Sequence, residues 1–281
     1  MDPLVFSAVL FAAICHAAWN AIIKFGLDTV AATTLVTTGA GLFAAAMLPL
    51  TGIPSVAAWP CVIASIVIHL FYFIGLSEAY RAGDLGQIYP LARGAAPLMT
   101  VVGSSLLVGE HVDVSGWLAI FLLGVGVVLL ARRGGHDLAK MDGRTLGSAL
   151  FTAVTICAYS LVDGVGARIA GNPHAYTLAM FAGNGAAMLV YGFWRRGPAL
   201  WSTMRMHWIA GAGGGALQLF SYGIAIWAMT LAPIALVAAL RESSVLFGAA
   251  IAVVFLKEPI RPARLVAAVL VLLGLVLLRL S

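Results

Sequence analysis

Arg93 stands four residues after Tyr89 in an otherwise apolar run, between Pro90 and Pro97. Side chains four apart share one face of a helix. A guanidinium there offers a planar fork that suits a carboxylate, and the prolines remove backbone donors and favour an irregular, hydrated wall. The alternative is a structural arginine that snorkels or pairs. Arg241 has the same setting late in the chain, followed at once by Glu242, Ser243 and Ser244. Adjacent helical residues do not face each other, so Arg241 and Glu242 need separate partners and form a candidate coupling or charge network. Asp163 lies four residues after Tyr159 and five before Arg168. An acid at bilayer depth is a candidate proton or cation site, unless Arg168 or water satisfies it.

Weaker polar positions accompany these charges. His69, Tyr72, Phe73, Leu76 and Tyr80 recur on one helical face. The stripe reads as core or, because His69, Tyr72 and Tyr80 carry polar handles into a medium without water, as a cavity wall. Trp19 and Asn20, then Asn184, then Gln218 with Tyr222, are binding candidates of the same kind, each equally able to clasp two helices. The six histidines form no HExxH, and Gly-x-Ser-x-Gly and Gly-Lys-Ser/Thr loops are missing. Hydrolysis and ATP-driven pumping therefore have no support, and neither a cofactor nor a metal is expected. Gly211 to Gly215 reads as close helix packing. Cys15, Cys61 and Cys157 lie in apolar segments without metal or disulfide spacing.

The elements that must position these groups are long apolar runs. Of 281 residues 62% are apolar and 10% charged, against roughly 25% charged in soluble domains. This composition is that of an all-α polytopic membrane protein with the lipid bilayer as partner, and the small net charge of +5 points to no nucleic acid. On a ruler of about 20 residues per crossing, ten transmembrane helices are expected, at 3–23, 30–49, 57–81, 85–109, 115–132, 146–168, 174–194, 207–231, 234–256 and 261–280.

The chain repeats itself. Arg93 precedes Glu110 by seventeen positions and Arg241 precedes Glu258 by seventeen, and each glutamate leads through a short charged loop to a Leu-Leu-Gly run. Five helices per repeat force opposite orientations on the halves, giving two inverted five-helix repeats, 1–133 and 146–281, joined by a linker at 134–145. Twelve of the sixteen Lys and Arg residues fall in or beside odd-numbered loops, whereas the even loops and the tail carry only Arg168 and Arg279. The odd loops and the linker are thus expected in the cytoplasm and both termini outside it.

The ten-helix pattern resembles the EamA type of the drug/metabolite transporter superfamily. The resemblance is carried by the Trp19-Asn20 pair followed by Lys24, the Arg93 helix ending in Gly109-Glu110 and its twin ending in Lys257-Glu258, and within the superfamily the interior is similar to that of bacterial amino-acid exporters, the aromatic amino-acid group included. It implies a cavity among helices one to four and six to nine, with five and ten at the periphery. The expected function is secondary export of small metabolites, amino acids foremost, across a bacterial inner membrane. A carboxylate would meet Arg93 or a helix terminus and a side chain would meet aromatic surfaces. Export of lipophilic or quaternary ammonium cations, with Asp163 or Glu242 as counter-charge, is the alternative, and a channel-like or purely structural membrane protein the reading from another class. Oligomeric state, a monomer included, is open.

Overall fold

The computed structural model describes residues 1–23, 28–81, 85–130, 143–256 and 262–280, and within these all side chains except those of 22–23, 76–81, 85–90, 130, 144–145, 251–256 and 262–264. The described chain is helical: α1 (Pro3–Ile23), α2 (Thr29–Thr51), α3 (Trp59–Arg81), α4 (Leu85–Gly103), α5 (Val114–Leu130), α6 (Gly143–Ile169), α7 (Pro173–Arg196), α8 (Ala199–Met206), α9 (Trp208–Met229), α10 (Ile234–Arg241), α11 (Ser244–Leu256) and α12 (Pro262–Leu280). Several open on a side-chain carboxylate or amide that meets the bare N–H groups of the first turn: Leu4 N donates to Asp2, Val30 N to Asp28, Gly116 N to Asp113 and His174 N to Asn172. The Ser115 hydroxyl and the Gly116 N–H hold the exposed Asp113 carboxyl below its ordinary pKa.

Among the described residues six helices are long and apolar enough to cross a membrane, and Val114–Leu129 and Leu265–Leu280 are shorter apolar helices. Two departures from the expected runs have local causes. The stretch between the seventh and eighth runs contains the short amphipathic α8, which follows Gly197 at φ 61° and Pro198. The run expected at 234–256 is divided. After Arg241 the backbone bonds tighten to the i to i−3 pattern, with Glu242 N donating to Ala239 O and Ser243 N to Leu240 O, and the tighter winding turns neighbouring side chains in new directions.

The packing of the halves is reciprocal. α2 lies on α7 and α5 on α12, α1 packs on α9 as α3 does on α6, α2 on α9 as α3 on α7, and α4 on α6 as α1 on α10 and α11. Taking α9 as the eighth run and α10 with α11 as the ninth, exchanging the two halves leaves this set of neighbours unchanged. At the centre Gly41 meets Gly185, each twelve residues past the first residue of its helix. A Cβ on either would stand 2.7 Å from the other's Cα, so the two backbones touch. Gly211 and Gly215 likewise receive Leu35 and Ala40 of α2.

Contacts between connections are equally ordered. Ser55 Oγ donates to Ile169 O, Asn172 Nδ2 to Thr51 O, Arg168 pairs with Glu110, and Arg279 donates to Met1 O, whereas Arg196 pairs with Asp28. The first group joins even-numbered connections or the two ends of the chain, and the last joins two odd ones. α5 and α12 lie outermost, with Leu118, Phe121, Leu272 and Val276 exposed. Trp59, Trp117, Trp201 and Trp208 are exposed near helix starts or on α8, where indole suits the lipid–water interface.

Candidate functional site

Five helices each give the interior a pair of side chains three or four residues apart, which is the spacing that sets both on one face. These are His16 and Trp19 on α1, His69 with Tyr72 and Phe73 on α3, Phe181 and Asn184 on α7, Gln218 and Tyr222 on α9, and on α6 Tyr159 with Asp163. Thr37 of α2 and Arg241 of α10 complete the wall of a cavity, about 490 Å3 of empty space with the open solvent at its mouth included, into which all of them except Asp163 face. No described residue of α5 or α12 reaches it.

The wall is an aromatic cluster around one cation. The His69 ring stacks on Tyr159 with centroids 4.3 Å apart, and Tyr159 meets Tyr222 edge-on at 5.7 Å. The His69 Nδ1 lies 3.0 Å from Ser65 O, a carbonyl that only accepts, so Nδ1 carries the proton and Nε2 is the acceptor whenever the ring is neutral. Arg241, 2% exposed, donates from Nη2 to the Tyr159 hydroxyl at 3.1 Å, and its guanidinium carbon lies 4.9 Å from the Tyr222 centroid and 5.8 Å from that of Tyr159. The ring faces thus stabilise a cation where water is scarce. Among the described residues its Nε–H finds no acceptor, nor does the Trp19 Nε1–H, and Thr37 Oγ1 and Gln218 Oε1 are also without a partner there. Buried polar groups are normally bonded, and Thr34, Thr38 and Ser243, away from this wall, likewise lack a partner among the described residues.

The remaining charges are engaged elsewhere. Arg93, 2% exposed, donates from Nη1 to both Glu242 oxygens at 3.0 and 3.2 Å and touches His16 Nε2 through Nη2. Arg93 and Glu242 are therefore an ion pair outside the cavity wall, and the arginine facing the cavity is Arg241. Adjacent as they are, Arg241 and Glu242 take separate partners. Asp163, fully buried, accepts from Tyr176 Oη at 2.9 Å and from Tyr222 Oη at 2.5 Å. Arg168 does not serve it. Arg168 bonds Glu110 and the carbonyls of Met229 and Ala232, tying down the end of α9. Glu110 in turn accepts from Ile234 N at 2.9 and 3.1 Å, an anion on the N-terminus of α10. It is aimed there by a wide turn at Ser104–Val108 and by Gly109 at φ 76°, a left-handed position that suits glycine.

Of the residues proposed from sequence, Trp19, His69, Tyr72, Asn184, Gln218 and Tyr222 line the cavity together with Arg241. Asn20 does not. Its amide donates to His16 O on its own helix. The side chains of Tyr80 and Tyr89 lie outside the described residues. His16, Thr37 and Phe181 were not singled out, although His16 sits three residues before Trp19 and so shares its face.

Comparison with known proteins bears on this arrangement. Residues 145–280 match the model of the EamA-like transporter family. The matched part opens two residues into α6 and closes on the last residue of α12. A solved structure described only as the crystal structure of a protein superposes with a TM-score of 0.74 at 17% identity, covering 99% of this chain and 96% of the other. At that identity the likeness is one of fold, and it extends across both halves. No curated protein sequence matches the chain. With six described helices long and apolar enough to cross a membrane, and a second half that matches a transporter family, the chain is a multi-pass membrane protein.

Proposed function

We propose that the chain is a secondary transporter that exports small carboxylate-bearing metabolites, amino acids foremost, by alternating access across a bacterial inner membrane. The observation that carries this reading is Arg241, a buried guanidinium on a cavity wall among aromatic faces, with an Nε–H that, like the Trp19 N–H on the same wall, has no partner among the described residues. A carboxylate accepts from such donors, and Phe73, Phe181 and Tyr72 suit an apolar body. The carboxylate role expected of Arg93 passes to Arg241, because Glu242 neutralises Arg93.

The architecture we infer is ten crossings in two inverted repeats, 1–133 and 146–281, around a cytoplasmic linker at 134–145, with both termini outside. The reciprocal packing and the pairing of even with even and odd with odd connections support it. Rocking of such repeats about their shared seam would open the cavity to each side in turn. Export of lipophilic cations has less support, since both counter-charges are engaged and Arg241 already covers the rings of Tyr159 and Tyr222.

The test is counterflow in proteoliposomes, with labelled amino acids against labelled quaternary amines. Saturable counterflow of amino acids is expected, weakened roughly ten- to hundredfold in affinity by Arg241→Gln, the loss of about 1.5–3 kcal/mol of charge-assisted bonding, and less by Arg241→Lys. Counterflow of the amines alone would establish the cation reading. Flux without saturation or counterflow would establish a channel.

A further inference from the structure

Tyr222 belongs at once to the cavity wall and to the shell of Asp163. Its ring lies under the Arg241 guanidinium, and its hydroxyl reaches a carboxylate that is itself fully buried and outside the cavity. We infer that Asp163 is a proton site loaded through Tyr222 when a carboxylate guest binds at Arg241, so that anion and proton bind together. The inference rests on the carboxylate reading of Arg241.

Charge balance supplies the first reason. Among the described buried groups two cations, Arg93 and Arg241, face two anions, Glu242 and Asp163. A guest with one carboxylate and no ammonium, which a zwitterionic amino acid is not, adds one negative charge to this neutral set in a medium that screens poorly, and a proton on Asp163 restores the balance. Hydrogen bonding supplies the second. The ionised Asp163 accepts from both phenols and keeps the Tyr222 proton turned toward itself. A hydronium in the cavity gives its proton to the Tyr222 oxygen while the original Tyr222 proton passes to Asp163 Oδ2. One O–H bond breaks on hydronium, one breaks and one forms on Tyr222, one forms on Asp163, and water is left behind. The neutral carboxyl now donates back to Tyr222, and the phenolic O–H is free to donate to the guest.

The other groups facing Asp163 do not replace it. Tyr176 on α7 and Tyr222 on α9 are phenols and Cys61 on α3 is a thiol, while Tyr222 itself is met by the phenol Tyr159 on α6 and by the permanent cation Arg241 on α10. His69 on α3 is the competing proton site.

The test uses the full chain in lipid nanodiscs with 3-phenylpropanoate, which carries one carboxylate, an aromatic body and no second charge. Its affinity for the wild type should rise as pH falls, by up to about tenfold per pH unit, the limit for one linked proton. Asp163→Asn should abolish the slope, Tyr222→Phe should reduce it, and Tyr176→Phe and His69→Gln should retain it. A slope that survives Asp163→Asn, or one lost with His69→Gln, overturns the proposal. Should Asp163→Asn fail to fold, the infrared band of a protonated carboxyl in the wild type decides. It should be perturbed by Tyr176→Phe and extend to higher pH when 3-phenylpropanoate is added, and a band indifferent to both overturns the proposal. Binding with equal affinity at every pH refutes the coupling alone. No binding at any pH refutes the carboxylate reading beneath it.

Discussion

Removing either member of the Arg93–Glu242 pair should unsettle the protein more than removing both. The two side chains are each 2% exposed and joined by two bonds from one guanidinium nitrogen at 3.0 and 3.2 Å. At an effective dielectric constant of about 20 and a charge separation of about 4 Å the attraction is about 4 kcal/mol. Burying either ion alone costs several kcal/mol, so Arg93→Met or Glu242→Leu should each lose about 3–5 kcal/mol. The double variant leaves no orphaned charge, although His16 still loses its contact with Arg93, and should recover all but about 1–2 kcal/mol. Reversible unfolding in mixed micelles with increasing SDS reads these differences, and the double-mutant cycle isolates the pair. Two single losses that simply add in the double variant would refute the pairing. Single losses under about 1 kcal/mol would show that the cost of burial has been overestimated.

Gly41→Ala should cost about 1–3 kcal/mol in the same assay by overpacking, since its Cβ would meet Gly185 Cα at 2.7 Å and Phe181 O at 3.0 Å, while Gly213→Ala, with nothing within 4 Å, should be neutral. A reporter after Ser281 should respond as extracytoplasmic and one inserted at Gly135 as cytoplasmic, and the opposite pair of results would invert the orientation. The depressed Asp113 carboxyl contributes stability that is present above its ordinary pKa of about 3.9 and lost as pH falls through its lower folded value. Asp113→Asn should therefore flatten the acid limb of a stability profile measured from about pH 5 to about pH 2.

The apolar runs were legible because a bilayer demands length and apolarity together, conditions that α1, α2 and α6 meet openly. α7 falls short of them. It carries Asn184 and Tyr191 on a face enclosed by α2, α3 and α9, so its mean apolarity is lower although its length still marked the run 174–194 in the sequence. The tightening at Arg241–Ser243 left a trace in the polar quartet 241–244, which no unbroken apolar helix would hold. Which arginine faces the cavity left none. That choice depends on Glu242 meeting Arg93 across 149 positions, and no local spacing encodes a pairing made in three dimensions. Tyr176 as a partner of Asp163 was hidden for the same reason, whereas His16 was in reach through the i, i+3 relation to Trp19.

The seam between Gly41 and Gly185 has a genetic consequence. An overfilled core is ordinarily rescued by shrinking the neighbour, but here each neighbour is already a glycine and has nothing to give up. Suppressors of a substitution at either position cannot arise at the other. They must come from changes that move α2 or α7 bodily, and those also disturb α9, which packs on both. The cavity wall is different in kind, because Phe73, Phe181 and Tyr72 have side chains that can be exchanged one at a time. Relatives that diverge in what they carry can therefore change the wall freely while the seam stays fixed.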